Sequence, residues 1–147
     1  MLDQYRGTET ILLVDDEPVV LTLARTILNH CGYKVHDFDD PLKALDENRK
    51  MAVDLVLTDV VMPNISGPDL VKRIKAEHPT IPCVFMSGYD ASQIAARGID
   101  SGCEYLRKPF TPEALVKKIR AALEEKALEE KERDEADRNF RKSPKPS

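Results

Sequence analysis

Five short apolar runs, each followed by a stretch with helical spacing, constrain this chain more than any other feature. The runs cover residues 10–16 (TILLVDD), 33–38 (YKVHDF), 54–59 (DLVLTD), 81–87 (IPCVFMS) and 103–108 (CEYLRK). Strands of this kind, alternating with helices, form parallel sheets with helices on both faces and right-handed crossovers. The third run is almost wholly apolar, as a strand covered on both faces should be.

The intervening segments read as helices. Pro18 suits a first helical turn. Val20, Leu23, Ala24, Ile27 and Cys31 then recur at helical spacing as the expected inward face, and Gly32 closes the helix. Residues 41–50 and 68–77 form the second and third helices, the latter with Leu70, Val71 and Ile74 inward. Residues 91–99 form a short polar fourth helix. Thr111 caps a fifth, with Pro112 at its first position, Glu113 in its first turn and Leu115, Ile119 and Leu123 inward. The pattern predicts an α/β, flavodoxin-like (βα)5 doubly wound parallel sheet with strand order 2-1-3-4-5. The expected domain covers 8–125. Residues 126–147 carry mixed charge without a sustained heptad, and are expected to form a charged helical extension and a disordered tail.

Composition narrows the function. The 147 residues carry a net charge of −4, and no basic stripe interleaved with aromatics offers a nucleic-acid surface. No apolar stretch reaches the roughly 20 residues needed to span a bilayer, and MLDQYRGTET lacks the apolar core of an export signal. Cys31, Cys83 and Cys103 are odd in number and far apart. They read as small buried thiols in a reducing compartment, neither disulfides nor a metal knuckle, which predicts a cytoplasmic location. His30, His36 and His78 are scattered and read as solvated.

The polar residues fall in one place. Asp15 and Asp16 end the first strand, Asp59 the third, Ser87 the fourth and Lys108 the fifth. All lie at the carboxyl edge of a parallel sheet, where strands one and three flank the switch point and ligands bind. Singly, a strand-end Asp is usually a cap or turn residue. Together, three carboxylates repel one another, and a hard divalent cation such as Mg2+ relieves that repulsion with oxygen ligands. The Lys108 ammonium and Ser87 hydroxyl complete a set suited to a phosphoryl group, with an Asp as covalent acceptor.

The stretches LLVDDEP, LTDVVMPNISG, FMSGY and YLRKPF, in this order and spacing, resemble the response-regulator receiver domain of two-component signalling and phosphorelays. The resemblance runs from about residue 8 to 125. It implies phosphorylation at Asp59, Mg2+ held by Asp16 and Asp59 with Asp15 through water and the Val61 carbonyl, and Ser87 and Lys108 gripping the phosphoryl group. It also implies a switch role for Tyr105, a cis Lys108–Pro109 bond, and a phosphodonor histidine on a kinase or phosphotransfer partner. MSGY and KPFTPEAL, with a segment from Gly102 to Tyr105 one residue shorter than in many stand-alone members, are similar to receivers of hybrid histidine kinases. Leu21 and Leu28, beside the expected core stripe, would form part of the docking face for a helical phosphodonor. Val61 and Tyr89 would flank the path of water, so self-dephosphorylation is expected to be slow. The expected state is a monomer or weak dimer that signals through protein contacts, with no nucleic acid or membrane partner.

Other readings fit less well. A non-phosphorylated pseudo-receiver acting as an interaction module would not need the complete acidic set. A phosphohydrolase of the Asp-nucleophile kind needs an acid two residues after the nucleophile, where Val61 stands. A nucleotide binder would carry a glycine-rich phosphate loop, and none is present.

Overall fold

The computed structural model describes residues 2–96 and 103–142. A 3-10 turn, Leu2–Tyr5, precedes β1 (Thr10–Val14), α1 (Pro18–His30), β2 (Lys34–Phe38), α2 (Pro41–Asn48), β3 (Leu55–Asp59), α3 (Gly67–Glu77), β4 (Cys83–Ser87), α4 (Ala91–Ala96), β5 (Glu104–Arg107) and α5 (Pro112–Lys142). All strand pairs are parallel and the order is β2-β1-β3-β4-β5, as the sequence predicts. The end expected for the fourth helix at Ile99, and Gly102 after it, lie outside the described residues, as does the tail beyond Lys142.

Strand alternation divides the core into two layers. Leu13, Leu57, Val84 and Met86 face α1 and α5, where they meet Ala24, Leu28, Leu115 and Ile119. Leu12, Val14, Val56 and Phe85 face the other side, against Leu70, Val71, Ile74 and Ile94. Because β3 lies between β1 and β4, it is buried along its whole length. Edge strand β2 is only half covered, hence its mixed composition.

Two expectations need correction. Leu21 and Leu28 are 9% and 0% exposed and belong to the core, whereas Leu23, expected inside, is 46% exposed, and Val19 is 79% exposed. Apolar residues occupy so much of α1 that two stripes compete, and the sheet selects the one through Leu21, Ala24 and Leu28. Cys83 and Cys103 are joined in a disulfide with Cα atoms 5.2 Å apart, while Cys31 is a buried free thiol. The register pairs Val84 with Glu104, which brings the preceding residues of neighbouring strands together. The charged segment after residue 125 continues α5 as helix, which runs unbroken for 31 residues, about 45 Å at roughly 1.5 Å per residue. Its outer part is exposed and rich in Glu, Lys and Ala, good helix formers, and Lys126 pairs with Glu130 at 3.7 Å.

A polar clasp fastens the amino-terminal segment to α5. Arg120 Nη1 donates to Glu9 Oε2 at 2.9 Å and Oε1 at 3.0 Å, and to the Tyr33 hydroxyl at 3.4 Å. Tyr33 in turn donates to the Tyr5 carbonyl at 2.8 Å. Burial opposes ionisation of Glu9, but backbone hydrogen bonds and Arg120 hold its carboxyl below the usual range. Arg120→Met keeps the stem and strands the Glu9 carboxylate and Tyr33 hydroxyl. It is expected to lower the unfolding free energy by about 2 kcal/mol in urea titrations.

Candidate functional site

Register places the polar residues along one line. Val14 pairs with Thr58 and Asp59 with Met86, so Asp15 and Asp59 emerge side by side, and Ser87 lies one residue beyond Met86. Lys108 follows β5, where its backbone N–H donates to the Ser87 carbonyl at 2.7 Å. The Lys108–Pro109 peptide is cis.

The Lys108 ammonium sits among three carboxylates: Asp15 Oδ2 at 2.8 Å, Glu17 Oε1 at 3.2 Å and Asp59 Oδ2 at 3.3 Å. Asp15 is fully buried and Asp59 nearly so. The other Asp59 oxygen, Oδ1, accepts from the Val60 N–H at 2.8 Å, and Asp15 Oδ1 from the Glu17 N–H at 2.8 Å. Each carboxylate is therefore held by one oxygen and presents the other to the site.

Burial dominates the electrostatics. Asp59 is pushed up to about 6 by burial and by the Asp15 charge, against the pull of Lys108. Burial also raises Asp15, although Lys108 opposes it. For Lys108, burial alone would lower the ammonium, but Asp15, Asp59 and Glu17 hold it above the usual lysine range. One lysine thus serves more negative charge than it can neutralise.

The donor set suits a hard cation. Asp15, Glu17 and Asp59 each offer an oxygen within 4.8 Å of the others. Asp15 Oδ2 is buried, and its close contact is the Lys108 ammonium at 2.8 Å, which leaves it room for a second positive partner. An oxygen-only set with unspent accepting capacity fits Mg2+. Asp16, expected as a direct ligand, is not one of this close group. Glu17 is, drawn in by its contact with Lys108, and the sequence reading missed that. The only available signal was a third acid in VDDE, because only the loop geometry turns it back toward Lys108.

A groove of about 810 Å3 opens over the cluster. Asp59, Ser87, Lys108, Val61 and Tyr89 line it, together with the apolar side chains of Val20, Leu23 and Phe110. Ser87 Oγ accepts from the Tyr89 N–H at 3.1 Å. The half-buried Tyr105 hydroxyl donates to the carbonyls of Ser87, at 3.1 Å, and Tyr89. An aromatic on β5 is therefore tied directly to the end of β4 that carries the site hydroxyl and to the loop that follows it.

Residues 11–120 match the family model described as the response regulator receiver domain. The chain belongs to that family. This receiver is 32% identical over 115 residues to the probable transcriptional regulatory protein TcrX of Mycobacterium tuberculosis, covering 78% of this chain and 49% of TcrX. It is 36% identical over 122 residues to the sensor kinase CckA of Brucella abortus, covering 80% of this chain and 13% of the kinase. The receiver thus spans about half or less of these curated relatives. Among solved structures, it is similar to the signal receiver domain of an HD domain-containing protein from Pseudomonas fluorescens Pf-5. That match has a TM-score of 0.74 and 30% identity, covering 84% of this chain and 93% of the other. The receiver domain of the hybrid histidine kinase CckA gives a TM-score of 0.67 and 32% identity, covering 78% and 98%. No helix among the described residues is long and apolar enough to cross a membrane.

Proposed function

We propose that this receiver is a phosphoacceptor switch: Asp59 accepts a phosphoryl group from a phosphohistidine on a kinase or phosphotransfer protein. The observation that carries this reading is the nearly buried Asp59 carboxylate, with Oδ1 held by the Val60 N–H and Oδ2 facing Lys108. In the transfer, Asp59 Oδ2 forms a bond to phosphorus as the donor's N–P bond breaks. The electron pair leaves with the imidazole nitrogen. Bound Mg2+ would screen the carboxylates from the incoming phosphoryl oxygens and stabilise their charge, and Asp15 and Asp59 would hold it, with Asp16 and the Val61 carbonyl as further candidates. Lys108 supplies an N–H and a positive charge to a phosphoryl oxygen, and Ser87 a hydroxyl. Movement of Ser87 toward the new oxygens pulls on the carbonyls that Tyr105 holds, so the β4–α4 loop and Tyr105 repack together. The altered face is read by another protein.

The test is intact mass after incubation with acetyl phosphate. One Mg2+-dependent phosphoryl group, absent in Asp59→Asn, is the expected result. Absence of label from both acetyl phosphate and a phosphohistidine protein overturns the reading in favour of an interaction module without phosphorylation.

The partner face follows from the corrected phase of α1. Val19 and Leu23 are exposed, and Val20, Leu23 and Phe110 line the groove over Asp59. An apolar helical donor seated there would bring its phosphohistidine to the carboxylate. Leu23→Asp is expected to slow transfer from a phosphohistidine protein by about ten-fold or more, the scale of an interface hot spot. Labelling by acetyl phosphate should be unaffected. Equal slowing of both reactions removes this face from consideration.

A further inference from the structure

The Lys108 ammonium faces Asp15, Glu17 and Asp59 at 2.8, 3.2 and 3.3 Å, and it donates a hydrogen bond to Glu17 Oε1. A phosphoryl oxygen can take the N–H that Glu17 holds, and the full charge of the ammonium, only if one of these partners yields. Asp15 is fully buried, and releasing it would leave an unpaired charge in the core. Asp59 is the acceptor itself. The Glu17 side chain is 60% exposed, so water can take over its charge at little cost. Glu17 also lines the groove through which a donor must approach.

We infer that Glu17 is a positioning residue that retains Lys108 in the unphosphorylated state and must release it before the phosphoryl group is gripped. This rests on the phosphoacceptor reading above. The resting site is thereby biased against small free phosphodonors, which bring no docking contacts to offset the release. A protein donor has the apolar side chains of the groove to bind.

Side-chain changes at this position are expected to leave the fold intact. Glu17 stands at the N-cap of α1, but its side chain makes no capping hydrogen bond. The bond from its backbone N–H to Asp15 survives any non-proline substitution. Glu17→Gln removes the charge, whereas Glu17→Asp keeps the charge but withdraws it from the Lys108 contact by one methylene.

The experiment measures acetyl phosphate labelling at saturating Mg2+ as a function of donor concentration. Binding of beryllofluoride, a phosphoryl mimic that adds to a carboxylate, is followed by fluorine NMR in the same proteins. Both variants are expected to lower the half-saturating acetyl phosphate concentration by roughly three- to ten-fold, the scale of one charge contact near a protein surface. Beryllofluoride should bind more tightly by a similar factor, and the limiting rate should change less than the half-saturation. Values within two-fold of wild type, or weaker binding in the variants, overturn the inference. An effect in Glu17→Gln with Glu17→Asp behaving like wild type overturns it as well, because repulsion at the mouth would then suffice without retention of Lys108. If the wild type carries no phosphoryl group on Asp59, the parent reading fails with it. If it is labelled and the variants match it, only the inference fails.

Discussion

Asp59→Asn is expected to abolish phosphoryl labelling and, at pH 7, to raise the unfolding free energy by about 2 kcal/mol. Loss of labelling follows because an amide is not a nucleophile toward phosphorus under these conditions. The gain in stability follows from burial. Asp59 has its carboxyl pushed up to about 6, from an ordinary value of 3.8, chiefly because burial penalises the charge. A native group that binds its proton more tightly than the unfolded chain stabilises the fold below about pH 4. That contribution disappears as pH rises through 6. At neutral pH the ionised carboxylate is therefore a liability, of about 1.4 kcal/mol per unit of raised pKa as an upper scale. The amide of the variant would retain an acceptor for the Val60 N–H, and Lys108 would keep Asp15 and Glu17. Urea titrations at several pH values check the sign: the difference between variant and wild type should be largest above pH 6 and close below pH 4. Mg2+ should narrow it by stabilising the wild type more. A destabilised variant at pH 7 would show that Lys108 more than compensates the burial of Asp59.

Gly67→Ala is expected to cost about 2–4 kcal/mol, in the range of overpacked cores, and to reduce labelling of Asp59 at least ten-fold. Gly67 opens α3 where the helix approaches the end of β3, and its N–H donates to the Val60 carbonyl at 2.8 Å. A Cβ there would collide with the Asp59 carbonyl oxygen and lie 3.0 Å from its carbon and 3.1 Å from Val60 Cα. These are backbone atoms, which no rotamer change can move aside. Either α3 retreats, exposing Leu70 and Ile74, or the backbone of the acceptor shifts. The second outcome disturbs the Val60 N–H that holds Asp59 Oδ1. Since positioning accounts for much of the rate of an oriented reaction, labelling should fall even in molecules that remain folded. Urea denaturation and acetyl phosphate labelling of the same preparation separate the two effects. Wild-type values in both would show that α3 can slide without cost.

Much of this was legible in the residues. Alternating strands and helices left one economical topology. With that topology, the carboxyl ends of β1, β3, β4 and β5 had to share one edge, so Asp15, Asp59, Ser87 and Lys108 converged without any distance being known. Inward faces with one clear apolar stripe, such as Leu115, Ile119 and Leu123 of α5, were also readable.

The sequence by itself determined the element order, the sheet order and the edge at which the chemistry gathers, because these depend on period and connectivity. Tertiary structure alone decided which stripe of α1 faces the sheet, since Leu21, Leu23 and Leu28 are equally apolar and only packing distinguishes them. It alone joined Cys83 to Cys103, which are 20 residues apart in the chain and brought together by strand register. It alone turned Glu17 rather than Asp16 toward Lys108, because neighbouring residues in a turn point in different directions and the backbone path sets which one reaches the ammonium.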